Sequence, residues 1–477
     1  CASSWAQRPG LDENRCRLTV DSLPAAFARC SVLTVPEDPA RPDGPSVDLF
    51  VARIAALSTT PRPDPLLIIT GGPGQSAIDF YVQARGAFEQ VRRERDLILL
   101  DQRGTGRSAG GFECDVPEDL ALETAGAEAL GEFVDQCLAA LEHDPRFYTT
   151  SVAVQDLERL RVALDLPQWN VYGVSYGTRV AQHYVRRFPE RVRALILDGV
   201  VPPEVALGPD VAIYAQRALD QIFARCAQDA ACAARFTDLP ARFSALLEQL
   251  AAEPFRTPAL EPSDSQSAAA EASTATAFGA AHLQALVRFM SYSGQTAALL
   301  PLLLSDAYEG NYLPLVGQAD TILRGLPEAL SFPMSNAVVC AEDVPFMQEQ
   351  ATEGLDATYL GTAIVDGLAS VCARWPAGVL DEDFKTPLRS DRPSLLLSGE
   401  ADPITPPEYA QQVIAGGLTN SVHLIGRGQG HGLAVIGCVP RILRAFLETP
   451  VPQELDADCL AIEPTPPFFL SPMGPAL

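Results

Sequence analysis

Short apolar runs closed by turn residues constrain the fold of this chain more than any other feature. Residues 66–70, 96–101 and 193–198 are apolar almost throughout, with no polar position every second residue, so each reads as a strand buried on both faces. Residues 170–174 and 394–398 continue the series. Helical patterns at 152–164 and 178–188 fall between these runs, with another at 121–141. Strands that alternate with helices build a parallel, doubly wound sheet. Two earlier strands, 31–36 and 47–56, are joined by a proline-rich turn. A last strand at 421–425 lies between helices at 408–415 and 440–447. Residues 1–30 read as irregular.

The texture changes at Val201-Pro202-Pro203. From there to about residue 388, strand-like runs vanish and helical patterns take over, at 212–227, 241–252, 281–290, 295–307 and 355–374. Within this block 258–273 is rich in Ala, Ser, Glu and Pro and reads as a mobile loop. The expected organisation is a core in two parts, 1–202 and 389–477, interrupted by a helical insertion, 203–388, that covers the site. A chain of 477 residues, 47% hydrophobic, is long enough for that arrangement.

Charge and cysteine content narrow the function. The net charge is −25 and no Lys/Arg-rich run occurs, which argues against nucleic acid as a partner. The apolar run 297–304 is broken by Pro301 and followed by Asp306, so it is too short to span a bilayer. The 11 cysteines group as close neighbours: Cys16 with Cys30, Cys114 with Cys137, Cys226 with Cys232, Cys340 with Cys372, and Cys438 with Cys459. Pairing in that way would place the chain in an oxidising compartment, periplasmic or extracellular. Cys1 is left over. Followed by Ala-Ser-Ser, it matches the start of a mature bacterial lipoprotein, where a lipid on the first cysteine attaches the protein to a membrane; an unpaired thiol is the alternative.

The chemistry centres on Gly173-Val174-Ser175-Tyr176-Gly177. A serine at the tip of a sharp strand-to-helix turn leaves no room for side chains two residues to either side, and glycine removes that clash. The helix that follows aims its positive end and free N–H groups toward the serine. A serine hydroxyl needs a base, and the base needs an orienting acid. Five histidines are available: His143, His183, His282, His423 and His431. His431 alone sits in a glycine-rich loop just past a strand, which makes it the base. Asp402, in a turn four residues beyond 394–398, is the orienting acid, with Glu400 as runner-up. The order Ser175, Asp402, His431 is that of an α/β-hydrolase. Oxyanion donors would be the N–H of Tyr176 and that of Gly72 or a neighbour in Gly71-Gly72-Pro73-Gly74. The loop Gln102–Ala109 mimics a dinucleotide fingerprint but lacks the helix and downstream acid that fingerprint needs; Arg103 and Arg107 read instead as ties between this loop and its neighbours. No histidine cluster suggests a catalytic metal, and no cofactor is expected.

Five motifs together carry a family resemblance. Gly-Gly-Pro-Gly at 71–74, Asp-Gln-Arg-Gly-Thr-Gly-Arg-Ser at 101–108, Gly-Val-Ser-Tyr-Gly at 173–177, Gly-Glu-Ala-Asp-Pro-Ile-Thr-Pro at 399–406 and Gly-His-Gly at 430–432 resemble the proline iminopeptidase and tripeptidyl-aminopeptidase family of serine peptidases. Val339-Cys340-Ala341-Glu342-Asp343 resembles a segment of the secreted tripeptidyl-aminopeptidase branch. The resemblance implies an α/β-hydrolase fold with a helical cap, and a peptide substrate shortened from its free N-terminus. Many iminopeptidases carry His before Gly-Gly-Pro-Gly, whereas Thr70 stands here, which weighs against strict proline specificity. An aminopeptidase must receive a charged amine, and carboxylates of the insertion suit that task. Glu342 is the first candidate and Asp343 the second, with Asp306 and Glu309 behind them. The rival readings are a carboxylesterase using the same three residues and a binding protein with an inactive site.

Overall fold

The computed structural model describes residues 11–20, 23–117, 126–256, 277–325, 329–347 and 352–475. Cys1, with the anchor expected on it, and the 258–273 loop lie outside the described residues.

One nine-stranded sheet forms the centre. Its strands are β1 (Asn14–Leu18), β2 (Ala26–Pro36), β3 (Ser46–Ile54), β4 (Leu66–Ile69), β5 (Leu97–Leu100), β6 (Trp169–Val174), β7 (Val192–Asp198), β8 (Ser394–Gly399) and β9 (Ser421–Gly426). Their spatial order is β1-β2-β3-β5-β4-β6-β7-β8-β9. Pairing is antiparallel from β1 to β5 and parallel from β5 to β9. Every residue of β4, β5, β6 and β8 is buried. That explains their unbroken apolar runs, because both faces are covered by helices.

Helices Thr150–Ala163 and Tyr176–Arg187 cover one face with Val154, Leu157, Leu160, Val180 and Tyr184. Helices Ala77–Ala84 and Val439–Glu448 cover the other with Ile78, Tyr81, Ile442 and Phe446. Each such side chain contributes about 1.5–3 kcal/mol by leaving water. Residues 14–18, expected to be irregular, form the edge strand β1, held to β2 by the Cys16–Cys30 disulfide. Asn14, Arg15 and Arg17 keep this strand polar and exposed, so no apolar alternation betrays it. The four other expected cysteine pairs are also disulfides.

Between β7 and β8 the chain is mainly helical, but not wholly. Phe255–Arg256 pairs with Ala277–Phe278 as a short ribbon. The helix expected at 295–307 is broken into Gly294–Ala297 and Leu300–Tyr308, because Pro301 fits only the first turn of a new helix. The one expected at 355–374 is the helix Ala363–Cys372 preceded by a 3-10 turn, Leu355–Ala357, with Gly361 at φ +54° between them. Helices Ala230–Arg235, Leu313–Arg324 and Phe332–Glu342 escape the sequence reading.

The insertion also divides between two cores. Helices Pro209–Gln228, Leu239–Ala252 and Ala280–Met290 pack into a cluster of their own. Met334, Ala337 and Val338 of helix Phe332–Glu342 pack instead into the core beside the sheet, with Val371 and Trp375.

Candidate active site

Ser175 stands between β6 and helix Tyr176–Arg187 with φ +56° and ψ −128°, a backbone region that side chains rarely occupy. The turn is as tight as the glycines imply. A Cβ on Gly173 would meet the Gly177 carbonyl oxygen at 2.4 Å, and one on Gly177 would meet the Ile69 carbonyl oxygen at 2.4 Å. The Ser175 N–H donates to the Asp198 carbonyl oxygen at 2.9 Å, tying the elbow to the end of β7.

The loop after β4 closes on the serine from the other side. A Cβ on Gly71 would lie 2.7 Å from Ser175 Cβ and 3.3 Å from its Oγ. The Thr70 hydroxyl donates to the Gln75 carbonyl oxygen at 2.8 Å, folding the loop back on itself. Gly72 and Gly74 have φ +101° and +102°. Neither the Gly72 nor the Tyr176 N–H has an acceptor among the described residues.

His431 follows β9 and meets Asp402, which follows β8. His431 Nδ1 lies 2.8 Å from Asp402 Oδ2 and 3.0 Å from Thr405 Oγ1. Asp402 is fully buried, and it also accepts the Ile404 and Thr405 N–H groups at 3.0 and 2.9 Å and the Thr405 hydroxyl at 2.8 Å. An ionised carboxylate only accepts, so Nδ1 carries the proton and Nε2 of the neutral ring is left bare. Burial works against a charged His431 ring, but the Asp402 charge and hydrogen bond outweigh it, helped by Asp198, and the pKa stands above its ordinary 6.5.

The ring lies over Gly199, where a Cβ would stand 2.9 Å from His431 Cε1. Gly199 directly follows Asp198, whose carbonyl holds Ser175. The imidazole thus packs on the residue next to the one that anchors the elbow, and among the described residues Ser175 Oγ makes no hydrogen bond to it. Glu400, the runner-up acid, lies elsewhere: its Oε2 accepts the Gly428 N–H at 2.8 Å and staples the histidine loop to the end of β8. The other histidines have partners of their own, His143 with Glu37, His183 with Asp381, His282 with the Gly279 N–H and His423 with Ser398.

Glu342 and Asp343, expected to receive a substrate amine, are buried and engaged by protein donors. Glu342 accepts the Thr150 N–H at 2.7 Å and its hydroxyl at 3.0 Å. Asp343 accepts two Arg179 N–H bonds at 2.9 and 3.2 Å and the Leu207 N–H at 2.9 Å. Burial pushes the Glu342 carboxyl up to about 7, against the pull of Arg179 and Thr150. Asp306 and Glu309 lie away from these groups, on the helix Leu300–Tyr308 and at its end, where Glu309 pairs with Arg242 at 3.1 Å.

Three residues at the site were missed from sequence. Asp198 reads as the end of a strand, yet its carboxylate accepts the Leu433 and Ala434 N–H groups at 2.8 and 2.9 Å and the Tyr172 hydroxyl at 2.9 Å. Thr405 is hidden in the Asp-Pro-Ile-Thr turn. Tyr292 belongs to the insertion; its carbonyl accepts the His431 N–H at 2.7 Å and its ring lies edge-on to the imidazole at 5.2 Å. A charged residue closing a buried apolar run was the available signal for Asp198; nothing local marks Tyr292.

Comparison with known proteins bears on the fold. The α/β hydrolase fold family matches residues 64–432, well over half of the chain. The serine protease Hip1 of Mycobacterium tuberculosis is 32% identical over 229 residues, 43% of this chain and 42% of that protein. The tripeptidyl aminopeptidase of Streptomyces lividans is 31% identical over 219 residues, 42% of this chain and 40% of that one. Carboxylesterase B of Mycobacterium tuberculosis is 28% identical over 277 residues, 52% of each chain. The chain therefore spans about half or less of the length of these relatives. With the family match over most of its length and a strand-elbow-helix serine at the carboxyl end of an interior parallel strand, the chain belongs to the α/β hydrolase fold family.

Proposed function

We propose that this protein is a serine exopeptidase that releases residues from free peptide N-termini through an acyl-enzyme. The observation that carries the reading is the Asp402–His431 pair at 2.8 Å, seated over Gly199 beside the strained Ser175 elbow. His431 Nε2 takes the proton as Ser175 Oγ attacks the scissile carbonyl carbon. The N–H groups of Tyr176 and Gly72 hold the resulting oxyanion, each worth a factor on the order of 100–1000. The C–N bond then breaks, the leaving amine takes the proton from His431, and the acyl group stays on Ser175. Water, deprotonated by the same ring, releases the acyl group and restores the hydroxyl. Asp402 fixes the tautomer throughout and stabilises the imidazolium.

The likeness to a tripeptidyl aminopeptidase supports a peptide substrate. The likeness to a carboxylesterase supports a second reading, ester hydrolysis by the same residues. A panel of tripeptidyl and aminoacyl anilides, with free and blocked amines and with Pro or Ala before the cut, set beside short acyl esters, separates the two. Turnover of free-amine anilides over blocked ones supports the exopeptidase. Ester turnover with no anilide cleavage overturns it in favour of the esterase. Five disulfides fit a periplasmic or extracellular setting.

A further inference from the structure

The two oxyanion donors belong to different segments, the Gly71–Gln75 loop and the first turn of helix Tyr176–Arg187. One helix of the insertion touches both. At its N-terminal end, Leu330 bridges to Gln75, the Ser331 N–H donates to the Gly74 carbonyl oxygen at 3.0 Å, and the Ser335 hydroxyl donates to the Pro73 carbonyl oxygen at 2.8 Å. The fit is close: a Cβ on Gly74 would lie 2.8 Å from the Ser331 carbonyl oxygen. At its C-terminal end, Glu342 holds Thr150, whose hydroxyl lies 2.7 Å from the Tyr176 hydroxyl. The next residue, Asp343, holds Arg179 of the same helix as Tyr176.

We propose that helix Phe332–Glu342 is a strut that sets the spacing of the oxyanion hole, with Ser335, Glu342 and Asp343 as positioning residues. This rests on the reading of Gly72 and Tyr176 as oxyanion donors. An 11-residue helix is rigid and about 16 Å long, enough to reach from the loop to the nucleophile helix. Its middle is locked by Met334, Ala337 and Val338 in the main core, and Cys340 is bonded to Cys372 of the neighbouring helix. It therefore cannot swing as a lid without opening the core. The carboxylates at its end are fully buried opposite Arg179, an arrangement that apolar side chains of similar volume often replace without loss of stability. What the ionic contact adds is register: one bidentate geometry with Arg179, and one hydrogen-bonded path from Glu342 through Thr150 to Tyr176.

The test uses Ser335→Ala and Glu342→Gln, at opposite ends of the helix, with active sites titrated by a fluorophosphonate. Substrates are a free-amine tripeptidyl anilide and p-nitrophenyl acetate, which has no amine. A peptide boronate, whose adduct is tetrahedral and anionic, reports on the oxyanion hole directly. A displacement of about 1 Å costs on the order of 100-fold. We expect kcat per titrated site to fall by roughly 10–100-fold in both variants, on both substrates, with KM within about 3-fold and boronate affinity falling by the same factor as kcat. A loss in Glu342→Gln confined to the free-amine substrate makes Glu342 an amine receptor and overturns the strut. Unchanged kcat per titrated site with only a lower melting temperature overturns it too. Ser175→Ala run alongside separates the two readings: retained activity there rejects the site itself, whereas lost activity there with unaltered strut variants rejects the strut alone.

Discussion

Asp198 binds Ser175 and the histidine loop at once. Its carbonyl oxygen accepts the Ser175 N–H at 2.9 Å, and its carboxylate accepts the Leu433 and Ala434 N–H groups at 2.8 and 2.9 Å. Leu433 and Ala434 lie two and three residues beyond His431. A single buried residue at the end of β7 thereby places the serine and the imidazole relative to each other. Burial raises the Asp198 carboxyl above its ordinary value, opposed by those N–H groups and the Tyr172 hydroxyl.

Asp198→Ala should lose both stability and rate. It leaves two backbone N–H groups and the Tyr172 hydroxyl without an acceptor, each costing about 1–3 kcal/mol. We expect unfolding free energy to fall by roughly 3 kcal/mol or more, and kcat by at least 10-fold in the folded fraction. Denaturant titration and titrated-site kinetics measure the two. Unchanged kcat would show that the histidine loop is held by other contacts.

The pH profile follows from His431. The base must be unprotonated, and its pKa stands above 6.5 in the folded protein, so the acid limb of kcat/KM should lie above that value. Activity is present above the limb and is lost as pH falls through it. Asp402→Asn removes the charge that raises the pKa, so the histidine should then titrate at lower pH, visible by NMR of the ring protons even where turnover is too slow to follow. An upward shift would contradict the sign.

Gly199→Ala tests how closely the imidazole is packed. The added Cβ would stand 2.9 Å from both His431 Cε1 and Thr405 Oγ1, at a φ of +65° that disfavours a side chain. The ring must move, and kcat should drop on the order of 100-fold. Fluorophosphonate labelling should slow in parallel, because it needs the same base. Labelling at the wild-type rate would place the ring clear of this position.

Arg103 offers a stability test away from the chemistry. It is fully buried, donates two N–H bonds to Asp156 at 2.8 and 2.9 Å, and also donates to the Glu37 and Phe147 carbonyl oxygens at 2.9 and 3.0 Å. This is the tie to neighbouring segments expected from sequence. Arg103→Met leaves the buried Asp156 carboxylate with Arg159 at 3.2 Å as its remaining cation and should cost about 3 kcal/mol, read from the denaturant midpoint. Arg107 ties the same loop to β3, with its guanidinium 5.0 Å from the Phe50 ring centroid.

Elements with a strong local pattern were legible in the sequence. β4 and β5 announce themselves by unbroken apolar runs. The elbow is marked by glycines at 173 and 177, which have no room for a Cβ. β1 was not legible, because a polar edge strand is defined by its neighbour rather than by its own residues. Helix Phe332–Glu342 was missed because it is buried nearly all round, with no apolar stripe facing a polar one.

Sequence alone determined which groups could act: one serine in a constrained turn, one histidine in a loop past a strand, and acids that follow the same sheet edge. Chain order and backbone sterics are local, so they can be read residue by residue. Only the tertiary structure set Asp402 rather than Glu400 against His431, engaged Glu342 and Asp343 with Thr150 and Arg179, and brought Asp198 and Tyr292 to the histidine loop. Those choices depend on which side-chain atoms come within about 3 Å after strands distant in sequence have paired, and no pattern along the chain encodes that distance.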